Sequence, residues 1–522
     1  MIALGLDYGT TNSLVAVYQR EMSNKQVRRV HKASNATVGG QYIRSPKRLL
    51  NSICRTNQQA IISCIDSCVN QLLNDLKAKL SDKEREKVRL ALTVPNAFKD
   101  NQCDLLRNTV LHTFSNHFDR FDSDCVDIIP EPVAAALYYA YCLKMKEGAI
   151  DGRRYIIVSD MGGGTTDLAV VRIEMRGNNL YFKVIATEHD SALGGDDVDA
   201  LVAEHLQSRY GLTDIEDKYL HMASQNLKKK LSVAQSKGLA DSAESLLLLE
   251  SGSYVKDGAE LNLQLDTDIM YNLMNKPTSK HQDGFIRTYT NLVAKLSYEF
   301  QRLLVDKEGY DEVDSVFRHK VILLPVGGSS HLKAVRDAFF NQFPQSSCFK
   351  LNTEVGDCDT GEANYDSVVR GAAIYSAYLS GMLTDMCSKI VIENRTMHNI
   401  SVRYSSERMY TCVKKTMPDD TYLAEFNPKL LSADGKTFTI GNLEFYQGGN
   451  ESVSDRDCVK LGEVSIDDII YTGGKAREDV KIILKTKIVS GRIQEMSLSV
   501  PGGRNDGSDF TITNLKIKSN EA

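Results

Sequence analysis

Short apolar runs punctuated by glycine open the chain. Residues 4–17 (LGLDYGTTNSLVAV) place an apolar run, Asp7, a turn rich in glycine and threonine, and a second apolar run. The same pattern returns at 157–171 (IVSDMGGGTTDLAVV), with Asp160 closing the first run. Apolar runs flanking a glycine turn predict a β-hairpin. Its recurrence predicts two lobes built on one plan and facing each other. Between and after the hairpins, the spacing of Ile, Cys, Val and Leu over Gln59–Lys79 predicts a helix. Leu90–Val94 predicts a strand that Pro95 stops. Pro132–Leu143, rich in Ala and Tyr, predicts a helix with proline in its first turn. Val321–Val326 reads as a buried strand, with Gly327-Gly328 as a turn and Ser329-Ser330 as the cap of a helix over His331–Phe340. Strand, turn and helix alternate to about Leu379, which defines an α/β class.

After Gly381 the apolar period shortens to two. Strands are predicted over Ile400–Tyr404, Tyr410–Lys414, Tyr422–Phe426, Phe438–Tyr446, Val480–Val489, Ile493–Val500 and Phe510–Ile517, separated by Gly, Asn and Asp turns. This is a smaller antiparallel β-sandwich domain. The expected division is a nucleotide-binding domain over 1–380, a linker over 381–392 and the β domain over 393–522. Within the first, one lobe takes 1–150 and 361–380 and the other 151–360.

Composition narrows the field. A length of 522 residues predicts about three compact units, and 42% hydrophobic with 25% charged residues is ordinary for a globular protein. A net charge of -5 without a long basic block argues against a nucleic-acid partner. No run of 18 apolar residues offers a membrane span. Met1–Asp7 lacks a basic lead and meets Asp7 at once, so it reads as a first strand rather than a signal peptide. The 11 cysteines are irregularly spaced. Cys64 and Cys68 fall on one helix face, but no His or second Cys pair joins them at zinc spacing. Free thiols of a reducing cytoplasm are expected.

ATP chemistry needs donors that cradle phosphate oxygens and carboxylates that hold Mg²⁺ through water. Gly9, Thr10, Thr11 and Asn12 offer backbone N–H groups and two hydroxyls, and Gly162, Gly163, Gly164, Thr165 and Thr166 offer the same from the facing lobe. Glycine lets the backbone approach closely. Asp7 and Asp160 place one carboxylate beside each loop. Asp167 and Glu131 are further candidates to order a magnesium-bound or attacking water. Either Gly-Thr-Thr alone is equally well explained as a plain hairpin turn. Two copies, with a third Gly-Gly at Gly327-Gly328, favour the phosphate cradle. A P-loop is excluded, because Gly473-Gly474-Lys475 lacks the first glycine and ends in Ala476. A dinucleotide fingerprint, a His-Glu-x-x-His pair and a Ser–His–Asp triad are absent as well.

Further motifs follow in order: Ser45-Pro46-Lys47-Arg48-Leu49, Thr93-Val94-Pro95 with Phe98, Pro130-Glu131-Pro132-Val133-Ala134, Leu193-Gly194-Gly195-Asp196-Asp197, Leu227-Lys228-Lys229-Lys230-Leu231-Ser232, Val326-Gly327-Gly328-Ser329-Ser330 and Gly371-Ala372-Ala373. Together they resemble the seventy-kilodalton heat-shock protein family of chaperones, within the actin and sugar-kinase ATPase superfamily. The resemblance covers nearly all of 1–380 and, more weakly, the β domain. It implies a two-lobed actin-like ATPase fold that binds ATP or ADP with Mg²⁺. Thr10, Thr11, Asn12 and Gly162–Gly164 would hold phosphates, with Gly9 in the same turn. Asp7 and Asp160 would hold hydrated Mg²⁺. Lys47 would orient the γ-phosphate and water, assisted by Glu131, Thr165 and Asp167. Lys228, Lys229, Ser232, Gly327, Gly328, Ser329 and His331 would bind the nucleoside. On their own, Lys228–Lys230 read as a solvated helix face.

The chain departs from the family pattern. Cys103 stands where the family carries an Arg relay to the proline strand. Gln225 replaces a clamp Glu, and His331 replaces an Arg that stacks on adenine. The 383–391 stretch lacks the leucine run between acids, and no helical lid is expected after the β domain. These departures argue against standard coupling and against J-domain and nucleotide-exchange co-chaperones. The expected function is slow ATP hydrolysis by a chaperone-like protein that binds extended or unfolded polypeptide. Two alternatives stay open: a nucleotide-sensing scaffold with one dedicated partner, and a filament-forming actin-like ATPase.

Overall fold

The computed structural model describes residues 1–18, 27–33, 36–38, 41–43, 45–50, 55–81, 85–147, 150, 152–236, 238–348, 366–383, 386–393, 396, 398–403, 409–415, 417–426, 442–448, 458–465, 481–489, 492–501 and 509–512. Two compact units result: 1–96 with 107–390, and 97–106 with 391–522.

The first hairpin is β1 (Ile2–Asp7) folded antiparallel on β2 (Asn12–Tyr18), with Asp7 opposite Leu14. Its apolar residues point into protein on both faces, and Ala3, Leu4, Leu6, Val15 and Ala16 are all fully buried. That explains the unbroken apolar runs, since a strand covered on both faces need not alternate. With β3 (Val27–Ala33), β4 (Val88–Val94) and β5 (Val126–Pro130) they form a five-stranded sheet in the order β3-β2-β1-β4-β5. Pro95 and Pro130 sit at the strand ends, where no ladder N–H is lost. Small residues bring two helices close. A methyl on Gly5 would lie 2.4 Å from the Val369 carbonyl oxygen of the Ser367–Leu379 helix. One on Gly371 would lie 1.8 Å from the Ala134 carbonyl oxygen of the Glu131–Glu147 helix.

The second hairpin is β6 (Arg153–Met161) on β7 (Thr166–Arg176), with Asp160 opposite Asp167. Its sheet adds β8 (Asn179–Asp190), β9 (Val321–Val326), β10 (Ser347–Cys348) and β11 (Lys389–Glu393), in the order β10-β9-β6-β7-β8-β11. One apolar core runs from Tyr155 and Ile157 on this sheet to Tyr289, Phe300 and Phe339 on the helices packed against it. The stretch 381–392, read as a linker, therefore carries most of an edge strand. Ser388 ties it in: its N–H donates to the Asn178 carbonyl at 2.7 Å.

The second unit is a two-sheet sandwich. One sheet orders β12 (Asn399–Arg403), β13 (Met409–Val413), β15 (Asn442–Gly448) and β16 (Val459–Ser465) as β13-β12-β15-β16. The other orders β14 (Thr421–Phe426), β17 (Ile482–Val489), β18 (Arg492–Val500) and β19 (Phe510–Ile512) as β14-β17-β18-β19. Val402 and Phe445 from one sheet share a core with Leu484 and Leu498 from the other. The predicted strands are found where the described residues cover them. Residue 404, residues 438–441, residue 480 and residues 513–517, at the ends of four of them, lie outside the described residues. Strand β16 went unpredicted, because Lys460, Gly462 and Glu463 dilute its apolar alternation. Residues 97–106 join this unit through Asp100. Arg492 donates to the Asp100 carbonyl at 2.7 Å and to Asp104 at 2.8 Å, and the Ile493 N–H donates to the Asp100 carboxylate at 2.9 Å.

Among the described residues, no helix is long and apolar enough to cross a membrane. The described cysteines, Cys64 and Cys68 included, are free thiols.

Candidate functional site: two glycine hairpins around a buried lysine

The two hairpin turns meet tip to tip. A methyl added to Gly163 would lie 1.8 Å from Thr11 Oγ1, and one on Gly164 would lie 2.4 Å from Thr10 Cγ2. Only glycine lets the loops approach this closely. Gly9 serves its own turn, since a methyl there would lie 1.9 Å from the Asn12 carbonyl oxygen. The Gly9 N–H donates to Ser13 Oγ at 3.2 Å.

The carbonyls of the second loop are anchored. Gly162 accepts from the Gly195 N–H at 3.0 Å and Gly163 from the Asp196 N–H at 2.7 Å, so the loop rests on the first turn of the Gly195–Tyr210 helix. Ser329 Oγ also donates to the Gly162 carbonyl, at 2.8 Å. Ser330 Oγ donates back to Val326 and Ser159 carbonyls. Neither serine caps a helix as the sequence suggested. A 3-10 turn over Gly328–His331 intervenes, and the Lys333–Gln342 helix starts after Leu332. The hydroxyls are consumed in locking this turn to β6 and its loop. Gly327 has φ 79° and is the glycine that this turn requires.

Lys47 lies in the short Pro46–Leu49 helix and is 4% exposed. Its Nζ donates to Glu131 Oε1 at 2.8 Å. Burial alone would pull its ammonium down, but Glu131, then Asp7 and Asp160, outweigh that and hold it above its ordinary value. The helix enters through Ser45 at φ 53°, a left-handed conformation that serine adopts at a cost of about 1–3 kcal/mol. Ser45 Oγ donates to Asp196 in the other lobe, and Thr11 Oγ1 donates to the same carboxylate at 2.9 Å.

The acids surround this ammonium. Asp7 accepts from Thr93 Oγ1 at 3.0 Å. Asp160 lies near the end of β6 opposite Asp167, where burial first, then Asp7 and Asp167, push its carboxyl up to about 8, against the pull of Lys47. Asp167 is 1% exposed. Burial pushes the Glu131 carboxyl up as well, and Lys47 pulls it back. Glu131, Asp7 and Asp160 thus share one lysine, and Asp167 adds a fourth carboxyl beside Asp160. This excess of hard oxygen donors suits a hydrated divalent cation, so the residues fit Mg²⁺.

Sequence reading passed over the residues that hold the lobes together. Arg48 Nε donates to the Gly164 carbonyl at 2.6 Å, and its Nη groups grip both oxygens of Asp197. The signal was present as an arginine beside Lys47 and an acid pair beginning a helix after two glycines. Asp196, Asp199 and His221 bring ligand atoms within 4.8 Å of one another. That cluster is served by protein donors, because Lys228 Nζ pairs with Asp199 at 2.7 Å and two hydroxyls occupy Asp196.

The expected nucleoside residues divide. Lys228 and Ser232, on the Asp217–Ser236 helix, line a cavity with Leu332. Ser232 Oγ donates to the His331 carbonyl at 3.1 Å. Lys229 is exposed and does not line the cavity. Gln225 Nε2 lies 3.1 Å from His221 Nε2 on the same helix.

Two lobes carrying matched glycine hairpins, with an acid at each and a shared lysine between them, define the actin-like ATPase fold. The family model for Hsp70 protein matches residues 66–488, and the chain belongs to the Hsp70 family. It is similar to a chaperone protein HscA homolog of Rickettsia conorii, 22% identical over 455 residues, covering 78% of this chain and 64% of the relative. A Vibrio cholerae HscA homolog is 28% identical over 348 residues, covering 65% and 44% of the two chains. One of Shewanella denitrificans is 28% identical over 351 residues, covering 66% and 45%. The matched stretch thus spans less than two thirds of each relative's own length.

Proposed function

We propose that the chain binds ATP with Mg²⁺ between its lobes and hydrolyses it slowly. The observation that carries this reading is Lys47, buried against Glu131 and facing Asp7 and Asp160 between two glycine hairpins. Thr10, Thr11, Asn12 and Gly162–Gly164 would hold the phosphates, and Asp7 and Asp160 would hold Mg²⁺ through water. Bound Mg²⁺ supplies charge neutralisation on the phosphate oxygens. Lys47 stabilises charge on the transferring phosphoryl group, and Glu131 keeps the ammonium oriented. Thr165 and Asp167 orient the attacking water. The reaction leans on positioned charge, so a fixed, buried ammonium is well suited to it.

The sandwich would bind extended polypeptide, a reading supported by the chaperone names of the relatives and by sheets whose edge strands pair on one side only among the described residues. Cys103 and the 383–391 stretch without a leucine run argue against J-domain and exchange-factor partners. Calorimetry on the full chain tests the nucleotide site. Mg-ATP and Mg-ADP should bind saturably, and Asp160→Ala should weaken both. Phosphate release with and without an unfolded peptide then tests turnover and its link to the sandwich. A wild-type chain with no detectable nucleotide binding would remove the assignment.

A further inference from the structure

A cavity of about 560 Å³ opens beside Lys228 and Ser232. Its other walls come from the Thr267–Asn275, Phe285–Asp306 and Lys333–Gln342 helices. Its floor is apolar: Met274 is 1% and Met270 6% exposed, and Leu332 is buried beside them. Tyr271 stands among the lining residues with 55% exposure. The volume falls in the range of about 300–1,000 Å³ typical of drug-sized ligands, more than a single base fills. Methionine sulfur makes favourable contacts with aromatic rings, and its flexible chain adapts to their edges.

The hydrogen bonds fix which wall borders the phosphate loops. Lys228 Nζ donates to the Gly195 carbonyl at 2.9 Å, and the Gly195 N–H donates to the Gly162 carbonyl. A nucleotide whose phosphates lie at Gly162–Gly164 would therefore enter the cavity past Lys228. In a purine nucleotide the six-membered ring, with its exocyclic N6, is the part farthest from the sugar. That ring would be directed toward the methionine floor.

We propose that this cavity is an enlarged base compartment that accepts adenine nucleotides carrying an aryl group on N6, with Met270, Met274 and Tyr271 as the residues that receive the aryl ring. The proposal rests on the nucleotide reading given above. The test is calorimetry with ATP and with N6-benzyl-ATP, on the wild type and on Ala338→Phe, which places a ring in the cavity from the Lys333–Gln342 helix. The expected result is wild-type affinity for N6-benzyl-ATP within about tenfold of that for ATP, equal to about 1.4 kcal/mol. Ala338→Phe should weaken the benzyl nucleotide at least tenfold more than it weakens ATP. Thermal unfolding shows whether that variant is folded, and Tyr271→Ala, an exposed change, supplies a second test in the same direction. Wild-type binding of ATP with N6-benzyl-ATP weaker by more than tenfold would overturn the proposal and leave the nucleotide site standing. Equal loss of both nucleotides in both variants would also overturn it. Binding of neither nucleotide to the wild type would remove the nucleotide reading and the proposal together.

Discussion

The two hairpins share a sequence plan and differ in what their glycines and acids do. At Gly9 a methyl would strike the Asn12 carbonyl of its own turn at 1.9 Å. At Gly163 and Gly164 it would strike threonine side chains of the opposite lobe, at 1.8 and 2.4 Å. The first glycine shapes a turn, and the second pair permits a contact between lobes. Asp7 is held by the Thr93 hydroxyl, whereas Asp160 sits among like charges and is pushed up to about 8. The first lobe brings the lysine, and the second brings carbonyls fixed to a helix start. A repeat of chain path is therefore no repeat of chemistry, and each half can be tested for its own share.

The sharpest division is at Lys47. Lys47→Ala should leave Mg-ATP bound within about threefold yet lower turnover on the order of 10²-fold or more, since a group acting on developing charge contributes mainly in the transition state. Single-turnover phosphate release measures it. Equal rates in mutant and wild type would take Lys47 off the catalytic list.

The glycines separate next. Gly9→Ala meets backbone and should lower stability by about 1–3 kcal/mol, the usual cost of overpacking. No side-chain change can relieve it. Gly164→Ala meets Thr10 Cγ2 at 2.4 Å and the flexible Arg48 side chain at 2.8–2.9 Å, so Thr10→Ser, which keeps the hydroxyl and removes that methyl, should recover part of the loss. Thermal unfolding of the singles and the double provides the readout. Failure of Thr10→Ser to recover any stability would mean that the loops do not touch as described.

Arg48→Ala removes the grip on Asp197 and the Gly164 carbonyl. Charge-assisted bonds between partly buried groups contribute roughly 1–2 kcal/mol after screening, so fluorescent ADP should leave about 5–30 times faster. Unchanged release would show that other contacts set the rate of lobe opening.

A further prediction concerns pH. With its carboxyl raised to about 8 from an ordinary 3.8, Asp160 keeps a proton in the folded, nucleotide-free chain that the unfolded chain gives up. Stability should then fall as pH rises between those values, by at most about 1.4 kcal/mol per pH unit from this group. Asp160→Asn should flatten that slope in denaturant titrations. A slope unaltered by the substitution would mean that Asp160 titrates normally.

Local patterns carried much of this arrangement into the sequence. Both hairpins, the β4 strand ending at Pro95 and the helix beginning near Pro132 follow from apolar runs and breakers within a few residues of each other. The paired Asp and Gly-Thr-Thr motifs were legible for the same reason. What escaped depends on partners far along the chain. Arg48 acquires meaning only beside Gly164 and Asp197, Ser45 only beside Asp196, and the serines after Gly328 only once β6 lies next to β9. Strand β11 reads as a connector because its neighbour β8 ends two hundred residues earlier, and no local rule joins them. Met270 and Met274 look like ordinary core residues until three helices leave a cavity above them.

The grouping of residues 97–106 with the sandwich bears on how the protein is made. Arg492 and Asp100 are 392 residues apart in the chain. At about 5–20 residues per second on the ribosome, the helix that begins at Asp100 emerges roughly 20–80 s before its arginine exists. During that interval the Asp100 and Asp104 carboxylates repel each other without a counter-charge. Completion of the chain at this corner is thus a late event in biosynthesis, and a nascent chain stalled before Arg492 would carry an unfinished seam that holdase chaperones could recognise.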